Sequence, residues 1–198
     1  MKKIILLLGI FIEAGISIQN ITSMATIKTE TQPYKVVHIE RGFEIRFYPS
    51  TTMAIVTSEA KTYKELAGSG FRKLAGYIFG GNKARKSIAM TSPVHMDIND
   101  SLSSMSFVMP SFYTKDNLPQ PNDKTIAIQR TKEEYVAVVR FGGYASDDHI
   151  KEYSTKLENA LKACKIRYHG NFRFLGYNAP YQFFGRRNEI IVSVTWPQ

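Results

Sequence analysis

The sequence predicts an α+β fold, a curved, mainly antiparallel β-barrel or sheet flanked by two α-helices, with two halves that share one schedule. Three observations predict it. Segments that alternate apolar and polar residues recur along the chain, only two stretches carry a helical period, and the order strand, strand, helix occurs twice. In the first half Glu44-Ile45-Arg46 and Met53-Ala54-Ile55-Val56 precede a helical stretch; Ala127-Ile128-Gln129 and Val136-Ala137-Val138-Val139 precede the other.

Taken in order, alternation predicts strands over Tyr34 to Glu40, Phe43 to Tyr48 and Met53 to Ala60, with turns at Arg41-Gly42 and Pro49-Ser50. Thr62 and Glu65 have the spacing of a capping box, so a helix starts there, runs to about Phe79 and ends at Gly80-Gly81. Ser87 to Ile98 reads as a strand interrupted by a bulge or edge position at Ser92-Pro93, and Ser104 to Met109 as another strand. Pro110 to Asp123, with Pro119 and Pro121, reads as a long surface connection. Strands over Thr125 to Arg130 and Tyr135 to Phe141, a Gly142-Gly143 turn and a helix from Ser146 to Cys164 follow. Strands over Phe172 to Tyr177 and Glu189 to Thr195 finish the chain.

The ends and the composition bound the function. Lys2 and Lys3 precede an apolar run from Ile4 to Ile12, the layout of an export signal and too short for the roughly 20 residues of a membrane-spanning helix. We therefore expect a signal over residues 1–25, a flexible polar tether over 26–33 and one domain over 34–198. The expected location is outside the cytoplasm, in the periplasm, or at the membrane if the first segment is not cleaved. The net charge of +9 favours anionic partners, yet the positive residues are scattered rather than clustered, which argues against nucleic acid. Cys164 is the one cysteine, which excludes an internal disulfide and a multi-thiolate metal site. A monomer is expected.

The two helices differ in kind. In the second, Ile150, Tyr153, Leu157, Ala160, Leu161 and Cys164 share a core-facing stripe, and Glu152 with Lys156 and Glu158 with Lys162 form surface pairs. In the first, Tyr63, Leu66, Ala67, Gly70, Leu74, Tyr77 and Ile78 already supply a core stripe, yet Phe71, Ala75 and Phe79 add a second line of their own. Lys64 and Arg72 flank that line. A flat apolar guest with anionic edges suits it; so does a loop packed over a wide stripe. Gly68 and Gly70 lie inside the same helix, where each costs about 1 kcal/mol relative to Ala, and close approach of a strand or of a ligand would offset the cost.

Several stretches are recognisable together: Gly76-Tyr-Ile-Phe-Gly-Gly-Asn82, Ile88-Ala-Met-Thr-Ser-Pro-Val94, Phe107-Val-Met-Pro110, Leu118-Pro-Gln-Pro-Asn-Asp123, Arg140-Phe-Gly-Gly-Tyr-Ala145 and Gly176-Tyr-Asn-Ala-Pro180 followed by Gly185-Arg-Arg-Asn-Glu-Ile190. In this order, over roughly Tyr34 to Thr195, the chain resembles the SOUL haem-binding family. The resemblance implies a twisted barrel-like sheet with two helices and pseudo-twofold symmetry, and binding of haem or a related tetrapyrrole in an apolar groove beside the first helix. The positions that carry over are Gly68, Phe71, Leu74, Ala75 and Gly76, to which periodicity adds Phe79, Lys64 and Arg72. One branch of the family is proposed to ligate iron through His in Glu-Ile-Arg-His-Tyr; this chain reads Glu44-Ile-Arg-Phe-Tyr48, with Phe47 there. Gly76 stands where some relatives carry Lys.

Other chemistry is sparse. His38, His95, His149 and His169 make no paired metal spacing; His95, near the Ser92-Pro93 break, is the one weak candidate iron ligand. No Gly-x-Ser-x-Gly elbow, Cys–His signature or phosphate-cradling loop occurs, so a binding protein rather than an enzyme is expected. Two other readings stay open. One is a module for another small aromatic or amphipathic molecule, as in the gyrase-inhibitor-like domains this fold resembles, which would place a buried carboxylate in the groove. The other is an enzyme that modifies a tetrapyrrole.

Overall fold

A computed structural model describes residues 29–197. The chain order is β1 (Glu30–Thr31), β2 (Lys35–Glu40), β3 (Phe43–Tyr48), β4 (Thr52–Ser58), α1 (Tyr63–Ile78), β5 (Thr91–Ser92), β6 (Val94–Asp97) and β7 (Ser103–Val108). Then come β8 (Ile126–Arg130), β9 (Glu134–Phe141), α2 (Asp147–Ala163), β10 (Tyr168–Gly176) and β11 (Asn188–Val194). Nine strands form one antiparallel sheet in the order β2-β3-β9-β11-β10-β6-β7-β4-β8. From its central pair outward, β10-β11-β9 on one side repeats β6-β7-β4 on the other. β3 and β8 then each pair with a strand of the opposite half. The duplicated schedule of the sequence is thus a pseudo-twofold with exchanged flanking strands.

Alternation along the strands divides the sheet into two unlike faces. Phe43, Ile45, Ala54, Val56, Met105, Phe107, Ala137, Phe141, Phe174, Ile190 and Val192 face the helices and join Leu66, Leu74, Tyr77, Leu157 and Leu161 in the main core. The opposite face holds a small cluster of Tyr48, Val136, Val138, Leu175 and Ile191.

The helices start as their caps predict. The Thr62 hydroxyl accepts from the Glu65 N–H at 3.2 Å and the Glu65 carboxylate accepts from the Lys61 N–H at 2.9 Å, satisfying amides that the first turn leaves without partners. Ser146 caps α2 in the same manner, with Asp147 and Asp148 in the first turn and Lys162 in the last, as the helix dipole favours. Asp147 also accepts from the Tyr63 N–H at 2.6 Å, tying the two helix starts together. At the far end of α1, a Cβ on Gly81 would lie 2.5 Å from the Gly76 carbonyl oxygen, so only glycine fits.

Some expectations need correction. The tether is not free through Pro33: β1 pairs in parallel with β5, and Gln32 is buried with its N–H on the Ser92 carbonyl. That pairing joins residues about sixty apart, which local polarity does not reveal. Cys164 is exposed at the end of α2 rather than on its core stripe. The connection after β7 is partly inside, because Pro110 and Leu118 are buried. The strand foreseen over Ser87 to Ile98 is split into β5 and β6 at Ser92-Pro93, a cis peptide bond. The export signal lies outside the described residues.

Candidate functional site

The solvent side of α1 is built from small and apolar residues. Phe71 is 38% exposed and Phe79 67%, with Ala75 half-buried between them. Helical spacing places Gly68 beside Lys64, Phe71 and Arg72, two turns before Ala75. A Cβ added at Gly68 or Gly76 would meet nothing within 4 Å, whereas one at Gly70 would lie 3.1 Å from the Met105 Cβ. The structure thus divides the glycines: Gly70 lets β7 approach the helix, while Gly68 and Gly76 satisfy no steric demand of the fold. They leave a low shelf of bare helix backbone.

Phe71 forms one wall of the shelf and is held by an edge contact with Phe107, ring centroids 5.3 Å apart. Among the described residues Lys64 and Arg72 have no ion-pair or side-chain hydrogen-bond partner, so their charges are available to an anion. Leu74, in contrast, is fully buried in the main core and cannot touch a guest on the shelf; its inclusion among the ligand contacts is corrected. The outer side of α1 is an open surface, on which Gly68, Phe71, Arg72 and Gly76 are all exposed.

His95 belongs to the other face of the sheet. It is buried, hydrogen-bonded through Nε2 to Gln32 at 2.7 Å, and held neutral: burial, then the charge of Arg173, lowers its pKa to about 3. With the sheet between it and the shelf, it is no ligand for an iron there. Beside it a cavity of about 210 Å³ is lined by Gln32, Tyr48, Met53, Ser106 and Arg173 among others. Arg173 there is engaged by Glu134 at 2.8 and 3.0 Å.

The same face holds a buried carboxylate, with the sheet between it and α1. Glu189 is fully buried and accepts from Arg46 at 2.8 and 3.0 Å, from Arg187 Nε at 2.8 Å and from the Tyr177 hydroxyl at 2.8 Å. Burial works against its charge, but the bonds and charge of Arg46, with help from Tyr177 and Arg187, outweigh that and hold its pKa below the ordinary carboxylate value. The Arg46 guanidinium lies 4.0 Å over the Tyr34 ring and that of Arg187 4.0 Å over Tyr177. The partners of the carboxylate are thus the chain's own cations, stacked on its own aromatic rings.

Sequence reasoning missed Arg46, 143 residues from its partner. The available signal was Glu44 and Arg46 alternating with Phe43 and Ile45 in a strand. Also missed was the β10–β11 loop, where Tyr181, Phe183 and Phe184 are largely exposed.

A family model described as SOUL heme-binding protein matches residues 29–193. The chain belongs to this family. It is similar to Heme-binding protein 1 of Xenopus laevis, 31% identical over 157 residues that cover 75% of this chain and 82% of that one. Heme-binding protein 2 of Mus musculus is 29% identical over 157 residues, covering 75% and 76%. Among solved structures the EcmrR C-terminal domain superposes with a TM-score of 0.61 at 9% identity, covering 82% of this chain and 98% of that one. A hydrolase from Listeria innocua gives 0.56 at 10%, covering 80% and 94%. These likenesses show the fold alone.

Proposed function

We propose that the chain binds haem or a related tetrapyrrole on the outer face of α1, as a binding protein rather than an enzyme. The observation that carries this reading is the pairing of two helical glycines with no packing role, Gly68 and Gly76, with the exposed line Phe71, Ala75 and Phe79. A helix that keeps costly glycines where alanine would fit has a reason outside its own fold. A planar macrocycle lying on bare backbone and against the Phe71 ring is such a reason. Membership of the SOUL family and the names of its curated relatives select a tetrapyrrole from among flat guests.

The residues present fit the apolar and anionic parts of haem. Phe71, Ala75 and Phe79 cover the macrocycle, and Lys64 and Arg72 meet the propionates. Haem supplies an iron that accepts axial ligands, but none of Lys64, Gly68, Phe71, Arg72, Ala75, Gly76 and Phe79 offers a His, Cys or Met donor. Affinity then comes from apolar burial and charge. Iron-free protoporphyrin binds within a few-fold of hemin on this account.

Titration of hemin into the full chain, followed by its Soret band, gives a saturable shift. Phe71→Asp weakens binding by roughly tenfold or more, about 1.4 kcal/mol. Absence of a saturable change, or an unaffected Phe71→Asp, removes the proposal. The same reading has the protein act outside the cytoplasm as a monomer, after export directed by Lys2, Lys3 and the run from Ile4 to Ile12. The amino-terminal sequence of protein recovered from the exported fraction tests it. Among the described residues no helix is long and apolar enough to cross a membrane.

A further inference from the structure

The loop joining β10 to β11 presents three aromatic side chains within four residues. Tyr181 is 80% exposed, Phe183 71% and Phe184 89%. Apolar surface of this size at one tip marks an interaction site. The loop is not a slack segment waiting to collapse onto the core. Arg186 Nη1 donates to the carbonyls of Ala179 and Gln182, both at 2.8 Å, and the guanidinium lies 4.4 Å over the ring of Tyr144, itself partly exposed. The Gln182 N–H bonds the Ala179 carbonyl at 3.1 Å, its side chain bonds the Phe184 carbonyl at 3.1 Å, and Asn178 accepts from the Arg187 N–H at 2.6 Å. The backbone is fastened from within while the aromatic rings point away, so the ordering cost of displaying them is already met by the fold.

We propose that this loop docks the protein on a lipid bilayer by inserting Phe183 and Phe184, with Tyr181 at the headgroup level. Three features select a bilayer over a protein partner. The rings sit together on an exposed loop tip, so a deformable apolar medium covers them without a matching pocket. Arg186, which borders the rings and has no carboxylate partner among the described residues, adds a cation beside the apolar tip, as in an interfacial anchor. The chain carries a net charge of +9, so an anionic bilayer attracts it. The inference is independent of tetrapyrrole binding: it uses none of the shelf residues.

Because the run from Ile4 to Ile12 could hold the full chain on vesicles by itself, the test needs a readout local to the loop. Phe184→Trp in the full chain supplies one, with the wild type giving the background of Trp196, the one native tryptophan. Vesicles of phosphatidylcholine and phosphatidylglycerol are expected to shift the emission of the introduced indole to the blue. Brominated acyl chains should then quench most of it, and Phe183→Ser in the same chain should reduce both effects. Co-sedimentation with no spectral response overturns the proposal, since the first segment alone then holds the chain. A blue shift that grows with protein concentration without vesicles reports a second copy on the loop and overturns it as well.

Discussion

The outer face of α1 and the polar face of the sheet both combine aromatic rings with charged groups, yet they treat the charges oppositely. On the sheet, Arg46, Arg187 and Tyr177 converge on Glu189 until its carboxylate is saturated. On α1, Lys64 and Arg72 flank exposed apolar surface with no partner among the described residues. A saturated cluster contributes structure and has little left for a guest; an unsatisfied one contributes little to structure and has most of its interaction energy left for a ligand. α2 supports the contrast from the equivalent position in the other half. Its solvent side is closed by Glu152–Lys156 at 2.5 Å and Glu158–Lys162 at 2.7 Å, and it has no apolar second line.

The largest effect that would break this comparison comes from the sheet. Arg46→Met strands a buried carboxylate and is expected to cost about 3–5 kcal/mol in urea unfolding, while Arg46→Met combined with Glu189→Leu recovers most of it. A mild single substitution would mean that the Glu189 carboxylate is not saturated. Next is pH. His95 is neutral when folded, with its pKa lowered from 6.5 to about 3, so the unfolded chain binds the extra proton. Its contribution is present above about 6.5 and is lost as pH falls toward 3, with a slope approaching about 1.4 kcal/mol per unit. Between pH 6.5 and 4.5 the wild type should lose stability faster than His95→Gln; parallel curves would contradict the assignment. Smaller in stability, and sharper for the comparison, is Lys64→Ala with Arg72→Ala. It should leave unfolding within about 0.5 kcal/mol yet weaken hemin binding several-fold, most at low salt. Glu152→Ala on α2 should change neither.

Much of the fold was legible because its signals are local. Thr62 with Glu65 and Ser146 mark helix starts through side chains that reach their own first turn, and Phe43 to Tyr48 alternates cleanly enough to give its boundaries to the residue. The second apolar line on α1 was legible for the same reason: Phe71, Ala75 and Phe79 are four apart, and more such positions exist than one core contact can use. What stayed hidden depends on residues distant in sequence. β1 meets β5, Gln32 meets His95 and Arg46 meets Glu189 only after the sheet has formed. Leu74 was misplaced among ligand contacts because family position, rather than helix face, put it there. Periodicity put Gly70 on the core stripe of α1, and the distance to Met105 completes its separation, as a packing glycine, from Gly68 and Gly76.

That separation gives the most direct test of the account. Gly68→Leu adds a side chain where the fold has open space and where the account seats a flat ligand. Measured together, unfolding free energy and hemin affinity should move apart: stability unchanged or raised by up to about 1 kcal/mol, and affinity reduced by roughly tenfold or more. Undiminished hemin binding by a stably folded Gly68→Leu protein would contradict the claim that the outer face of α1 is the binding surface.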